Sequence, residues 1–179
     1  MSRKVTAVVL CEDKQARAVL YRYLARERGF ARVRVLPLPA GEGCGSQYVR
    51  ETYAREVGRQ RDKSVATVLV VHLDADNHTV ADRHRALAQE LRNAGMDPRD
   101  TDEPIALVIP RWETETWIHH YQDRAVVESD RDLPKFSGRE AEAAGPTVAA
   151  LVALVDGRAV APGNIPAIAI AAAELRRLP

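Results

Sequence analysis

Three short stretches of this chain combine carboxylates in ways that could do chemistry: Cys11-Glu12-Asp13, Asp74-Ala75-Asp76-Asn77 and Arg111-Trp112-Glu113-Thr114-Glu115. Carboxylates brought close together repel and raise each other's pKa. A hard divalent cation removes that cost, and an oxygen-only donor set suits Mg2+ or Mn2+. Asp and Asn also serve as ordinary turn and helix-cap residues. As a set, Glu12, Asp74 and Asp76 favour a metal site, provided the chain brings their strands side by side.

The elements that must position them alternate between two periodicities. Residues 5–10 are a continuous apolar run, read as a buried strand. Residues 14–28 follow as a helix, with Ala16, Val19, Leu20, Tyr23 and Leu24 on one face and Gly29 past its end. Residues 32–36 alternate as a half-exposed strand, and 37–45 form a Pro/Gly loop. Ser46 caps a helix running to about Arg59. Residues 65–73 carry the strongest strand signal. Residues 80–93 read as a helix with Val80, Leu87, Ala88 and Leu91 inward, 105–109 as a fourth strand, and 112–121 as a short helix. The fold class is therefore α/β and Rossmann-like: a mainly parallel four-stranded sheet with helices on both faces. Residues 1–122 form the core. Residues 123–179 form a small helical appendage packed on it, with 123–144 irregular and short helices over 147–155 and 166–178. In such sheets ligands bind beyond the carboxyl ends of the strands, where all three acidic stretches fall.

Composition sets the outer bounds. The 179 residues and 19.8 kDa suit one domain with room for an added segment. Hydrophobic residues at 46% and charged residues at 28% exclude a largely disordered chain. The longest apolar runs are too short to cross a bilayer. Cys11 and Cys44 make neither a disulfide framework nor a zinc site, and the N-terminus has no sizeable apolar stretch, so the expected compartment is the cytosol. Twenty-six basic residues against 25 acidic ones leave a net charge of +1. The chain is no polybasic coat. An acidic metal site within a basic surround is still compatible with nucleic acid as substrate. Lys14 and Arg17, which open the helix after Glu12, could hold phosphates; Arg83, Arg111 and His78 lie near the same edge.

The segments VVLCED and VLVVHLDADN, about sixty residues apart, resemble the Toprim domain of topoisomerases, DnaG-type primases, small RNA-maturation nucleases and OLD-family nucleases. That domain carries a Glu after the first strand and an Asp-x-Asp after the third, matched here by Glu12, Asp74 and Asp76. LVIPRWETETWIHHY resembles a region of RloB-like small Toprim proteins of phage-defence loci. The resemblance covers residues 4–121. It implies a Mg2+- or Mn2+-dependent nuclease acting on DNA or RNA. In it Asp74 and Asp76 hold the metal, and Glu12 acts as ligand or general acid/base. Glu113 is expected to complete the site, with Glu115 more exposed, since neighbours two apart on a helix do not share a face. Asp13 and Asp82 are weaker candidates for a second metal. Without a nucleophilic tyrosine, hydrolysis by water is the simpler mechanism.

Two other readings stay open. One is a Toprim-like regulatory subunit that needs an ATPase or nuclease partner. The other is a metal-dependent small-molecule phosphatase; HLDADNHTV also resembles the haloacid-dehalogenase motif, though here it follows the third strand rather than the first. A homodimer is compatible with a nuclease that cuts both strands. Residues 41–45 could cradle a phosphate but read better as a loop beside the site. His72, inside the third strand, and Cys11 read as buried groups. One of His119 and His120 faces in. Trp112 and Trp117 read as core rather than base-stacking residues. Lys135 and Arg139 could close over the site from the appendage.

Overall fold

The computed structural model describes residues 3–38, 45–62 and 66–179. The proposed phosphate cradle and Cys44 lie outside the described residues, apart from Gly45. Four parallel strands form one sheet: β1 (Arg3–Leu10), β2 (Phe30–Val35), β3 (Thr67–His72) and β4 (Ile105–Val108), in the order β2-β1-β3-β4. The Rossmann-like α/β class expected from the alternating pattern is what the chain adopts. Among the described residues six α-helices complete it: α1 (Lys14–Arg22), α2 (Gly45–Arg61), α3 (Val80–Asn93), α4 (Thr114–Tyr121), α5 (Glu140–Val155) and α6 (Ala167–Leu175).

Strands β3 and β4 are buried at every residue, which is why they read as unbroken apolar runs. At the sheet edge, β2 keeps Arg32 and Arg34 exposed and half-buries Val33 and Val35. Right-handed crossovers put α1 on one face of the sheet and α2 and α3 on the other. The chain leaves β1 towards β2, then returns past it to β3 and β4. The direction of winding therefore reverses between β1 and β3, which is where a doubly wound sheet opens its ligand crevice. Leu10 pairs with Val71 in register, so residues just beyond both strands emerge together.

Local chemistry accounts for the helix ends. Asp13 caps α1 by accepting the Ala16 N–H at 2.7 Å. A π-helical turn over Tyr23–Glu27 continues α1 until Gly29, whose φ of +68° ends it. Thr79 and Asp82 form a reciprocal capping box at α3, with bonds of 2.9 and 3.0 Å. Asp13 and Asp82, the weaker second-metal candidates, thus each cap a helix. Ser46 sits inside the first turn of α2, which begins at Gly45, and is not its cap. Helix α5 is longer than its sequence suggests. It starts at Glu140 and runs through Gly145-Pro146, the pair that reads as a breaker. Neighbouring side chains attend its early carbonyls: Gln15 donates to Glu140, Arg22 to Ala141 and Gln122 to Ala143.

One hydrophobic cluster runs unbroken from β1 to α6, through Leu20, Leu69, Leu87, Ile105, Leu151 and Ile168. Each such fully buried side chain contributes about 1.5–3 kcal/mol. Helix α5 packs on α1 and α4, and α6 covers β4. The outer edge of β4 would present unpaired backbone groups. Glu174 of α6 accepts the Leu107 N–H at 3.0 Å, and Arg99 donates to the Ile105 carbonyl at 2.6 Å. Arg99 and Glu174 also pair with each other. Burial opposes the Glu174 charge, but hydrogen bonds from Arg99 and Leu107 hold its pKa below the ordinary carboxylate value. No helix among the described residues is long and apolar enough to cross a membrane.

Truncating this carboxylate strands Arg99 and reopens the strand edge. Glu174→Ala is expected to lose about 2–4 kcal/mol of unfolding free energy in urea titrations. A loss within about 0.5 kcal/mol, the range of ordinary surface changes, would show that the edge is closed some other way.

Candidate metal centre

Glu12 follows β1 by two residues and Asp74 follows β3 by two. Because β1 and β3 are in-register neighbours, the two carboxyls meet. A Glu12 carboxylate oxygen accepts the Asp74 backbone N–H at 2.6 Å. His72 lies two residues before Asp74 on the same extended stretch, so both side chains point the same way. Ligand atoms of Glu12, His72 and Asp74 lie within 4.8 Å of one another. This cluster is a candidate metal-binding triad.

The triad is set in a dry environment. Asp74 is 8% exposed and His72 1%. One Asp74 carboxylate oxygen and His72 Nδ1 are buried without a hydrogen-bond partner among the described residues. His72 Nε2 is 2.8 Å from the Thr114 hydroxyl and 3.8 Å from Asp74. Burial pushes Glu12 up to about 7, against the opposing pull of the Asp74 N–H. Burial, then the Glu12 charge, raises Asp74 well above the ordinary carboxylate value. Burial also lowers His72 to about 4, so its ring is neutral. Two carboxylates and a neutral imidazole, with a buried carboxylate oxygen and a ring nitrogen left unpartnered, are a donor set that fits a divalent cation. The imidazole was absent from the all-oxygen set expected from sequence.

Helix α2 closes against this centre without a side chain between. A Cβ on Gly45 would lie 2.7 Å from Glu12 Cβ and 3.2 Å from a Glu12 carboxylate oxygen. Such contacts force a shift, so this position accepts only glycine without displacing Glu12. Cys11, just before, is 1% exposed, and burial pushes its thiol up to about 12. It is the buried strand-end thiol that the sequence suggests.

Asp76 does not join the triad. Extended backbone persists to Ala75, whose N–H bonds Pro110 O at 2.9 Å. Asp76 then turns with φ +52°, and alternation ends there. Its side chain is 52% exposed and pairs with buried Arg83 at 3.0 Å, though its charge is still felt at Glu12. Arg111 also faces this turn, donating to the carbonyls of Asp76 and His78 at 2.9 and 2.8 Å. Arg111 therefore holds the loop, while the His78 residue is exposed at its tip.

Glu113 and Glu115 reverse the order expected of them. The Glu115 side chain is 3% exposed and that of Glu113 16%. Glu113 precedes α4 in extended conformation, so it is not yet on the helix, and Glu115 turns inward. The Glu115 charge is felt at Asp74, and burial raises its own pKa. Lys135 bridges the pair, with Nζ 2.6 Å from Glu113 and 3.1 Å from Glu115. Of the two cations expected to close over the site, Lys135 reaches it, whereas Arg139 sits at the start of α5. His119 is buried, bonding Pro134 O at 2.9 Å and stacking on Phe136; Trp117 is buried, and Trp112 lies between Arg111 and Arg131. Lys14 and Arg17 lie exposed on the outer face of α1.

Sequence reasoning reads His72 as a buried group rather than a ligand and Glu115 as the more exposed glutamate, while it does expect Lys135 over the site. For His72 a signal existed, since i and i+2 on a strand share a face. For the inward turn of Glu115 there was none before the start of α4 and the 123–139 segment were placed. No family model, curated protein or solved structure matches the chain.

Two outcomes follow for metal binding. With a folded value raised above its unfolded one, Glu12 favours the metal-free fold at low pH and costs stability as pH rises from about 4.5 to 7. His72 runs the other way, its contribution growing from about 4 to 6.5. A cation competes with the carboxyl protons. Mn2+ at about 100 times its Kd adds about 2.7 kcal/mol, roughly 5–10 °C in Tm. A given Mn2+ concentration should therefore shift Tm little at pH 5 and most at pH 8, as scanning fluorimetry reads. A shift equal at both pH values would place the ion elsewhere. Gly45→Ala should weaken Mn2+ binding at least about tenfold, the equivalent of 1.4 kcal/mol, in calorimetric titration. Wild-type affinity in that variant would mean that Glu12 is not a ligand.

Proposed function

We propose that this chain is a divalent-metal-dependent phosphodiester hydrolase of the Toprim type, cutting DNA or RNA in the cytosol. The observation that carries the reading is the meeting of Glu12 and Asp74 at the strand ends where the winding of the sheet reverses. The resemblance of the segments that bear them to the Toprim pattern supports it further. Glu12, Asp74 and His72 would hold Mg2+ or Mn2+. Such an ion supplies Lewis acidity towards a phosphoryl oxygen and makes water more acidic.

The remaining steps belong to the chain's own residues. Thr114 orients the His72 ring, and the Asp74 N–H orients the Glu12 carboxylate. Lys135, held by Glu113 and Glu115, sets a positive charge beside the acidic centre, suited to charge developing on a phosphate. Lys14 and Arg17 bind neighbouring phosphates. Asp76, half exposed and paired to Arg83, has a supporting role in this scheme rather than a ligand's. A role in phage defence, with an ATPase or a second copy as partner, belongs to the same proposal.

The test incubates the purified protein with plasmid DNA, single-stranded DNA and a structured RNA, each with Mg2+, Mn2+ or EDTA. Cleavage should require metal and fall at least about a thousandfold in Asp74→Asn, a loss of about 4 kcal/mol of transition-state stabilisation. Asp76→Asn should cost no more than about tenfold. Absence of cleavage on all three polymers, with Mn2+ still bound by calorimetry, would overturn the hydrolase reading.

A further inference from the structure

The chain as a whole carries almost no net charge, yet its cations are not evenly spread. Lys14, Arg17 and Arg22 on α1, and Arg26 on the π-helical turn that continues it, line one side of this helix, with Tyr21 among them. That face is opposite to the one formed by Ala16, Val19, Leu20 and Leu24, which goes into the core. Glu140 and Ala141 at the start of α5 form the other wall. Between them runs a groove of about 350 Å³. Four cations face one carboxylate in it, and that carboxylate, Glu140, feels Lys14.

Among the described residues, Lys14, Arg17 and Arg26 form no ion pair. Arg22 makes only a long bond to the Ala141 carbonyl, at 3.5 Å. Tyr21 is 47% exposed, unusual for an aromatic side chain in this chain. The groove does not stop at Lys14. Lys14 and Glu140 also line a second hollow of about 230 Å³, whose other walls include Asp13, Glu115 and Lys135. The two hollows thus share Lys14 and Glu140, and the second is bordered by Glu115, whose charge is felt at Asp74.

We infer that this groove binds a single strand of nucleic acid whose backbone leaves the metal centre and follows α1. The inference rests on the hydrolase reading for what happens at the centre, but not for the groove itself. From Lys14 to Arg26 is about 18 Å along the helix at 1.5 Å per residue. That spans about five nucleotides at 3.4 Å per nucleotide in a helical strand. Free arginines pair with phosphates in bidentate fashion. An exposed tyrosine among them offers a face on which any base stacks. A groove of this volume, walled by α1 and the start of α5, suits one strand better than a duplex.

Binding is measured apart from cleavage, by fluorescence anisotropy in EDTA. The probes are labelled 15-nucleotide poly(dT) and poly(rU) and a 15-base-pair duplex, at several salt concentrations. Wild-type protein should bind single strands at least tenfold more tightly than the duplex. The two single-stranded probes separate DNA from RNA. Arg17→Ala/Arg26→Ala should weaken binding at least tenfold and flatten the slope of log K against log salt by about 1.4, at about 0.7 per lost contact. Tyr21→Ala should weaken binding with the slope unchanged. Arg85→Ala/Arg92→Ala, on α3, should bind as wild type. Groove variants that bind as wild type, or a preference for duplex, would overturn the inference. Single-strand binding that needs the groove residues, without cleavage in any metal, would leave the groove standing and remove the hydrolase reading. Cleavage that groove variants retain in full would do the reverse.

Discussion

Two carboxyl groups held together away from water are the constraint around which this protein is arranged. Glu12 and Asp74 come from strands that neighbour each other because their apolar residues must be buried on both faces of the sheet. Once Leu10 is paired with Val71, Glu12 two residues beyond the one and Asp74 three beyond the other leave the same end of the sheet and meet. Ionising both in such a place is costly, because burial and like charge act in the same direction. The local chemistry answers that cost in several ways. An amide N–H of Asp74 points at Glu12, His72 is kept neutral, and protons or a cation take up the remaining charge.

A second acidic pair lies alongside, and the chain neutralises it with its own cation. Glu113 and Glu115 are bridged by Lys135, which arrives from the segment between α4 and α5. The C-terminal helices therefore do more than cover apolar surface. Helix α5 fixes where that segment ends and forms one wall of the cationic groove. Helix α6 closes the exposed edge of β4 through Glu174 and Arg99. Acidic groups face the end of the sheet and basic groups line the helix leading from it. The net charge of +1 therefore does not describe the local charge along α1. Such an arrangement attracts a polyanion along one face and concentrates cations at its end.

The family resemblance, the metal and the substrate remain one proposal that stands on the triad. Fold class stands on firmer ground, since the strand order and parallel pairing are those of a doubly wound sheet. The same Rossmann-like frame supports many activities, so the site and not the fold carries the functional reading.

By itself the sequence determined the alternation of elements, and with it the fold class. Burial on both faces makes β1, β3 and β4 continuous apolar runs, and one-sided burial gives α1 and α3 their stripes; such patterns are written residue by residue. The nearness of Glu12 and Asp74 was legible too, because strand-end positions follow from strand order. What escaped were features set by turns and by distant segments. Asp76 left the expected set because one residue with positive φ ends the alternation, and nothing in Asp-Ala-Asp-Asn announces where a strand stops. Glu115 replaced Glu113 as the inward residue because α4 begins two residues later than its sequence pattern suggests, leaving Glu113 extended ahead of it. Helix α5 runs through a Gly-Pro pair, and side chains from elsewhere in the chain reach its early carbonyls, in the case of Gln15 and Glu140 from more than a hundred positions away. Local propensity is a property of neighbours in the chain. Lys135 on Glu115, and Gly45 on Glu12, are properties of neighbours in space, and only the packed structure decides them.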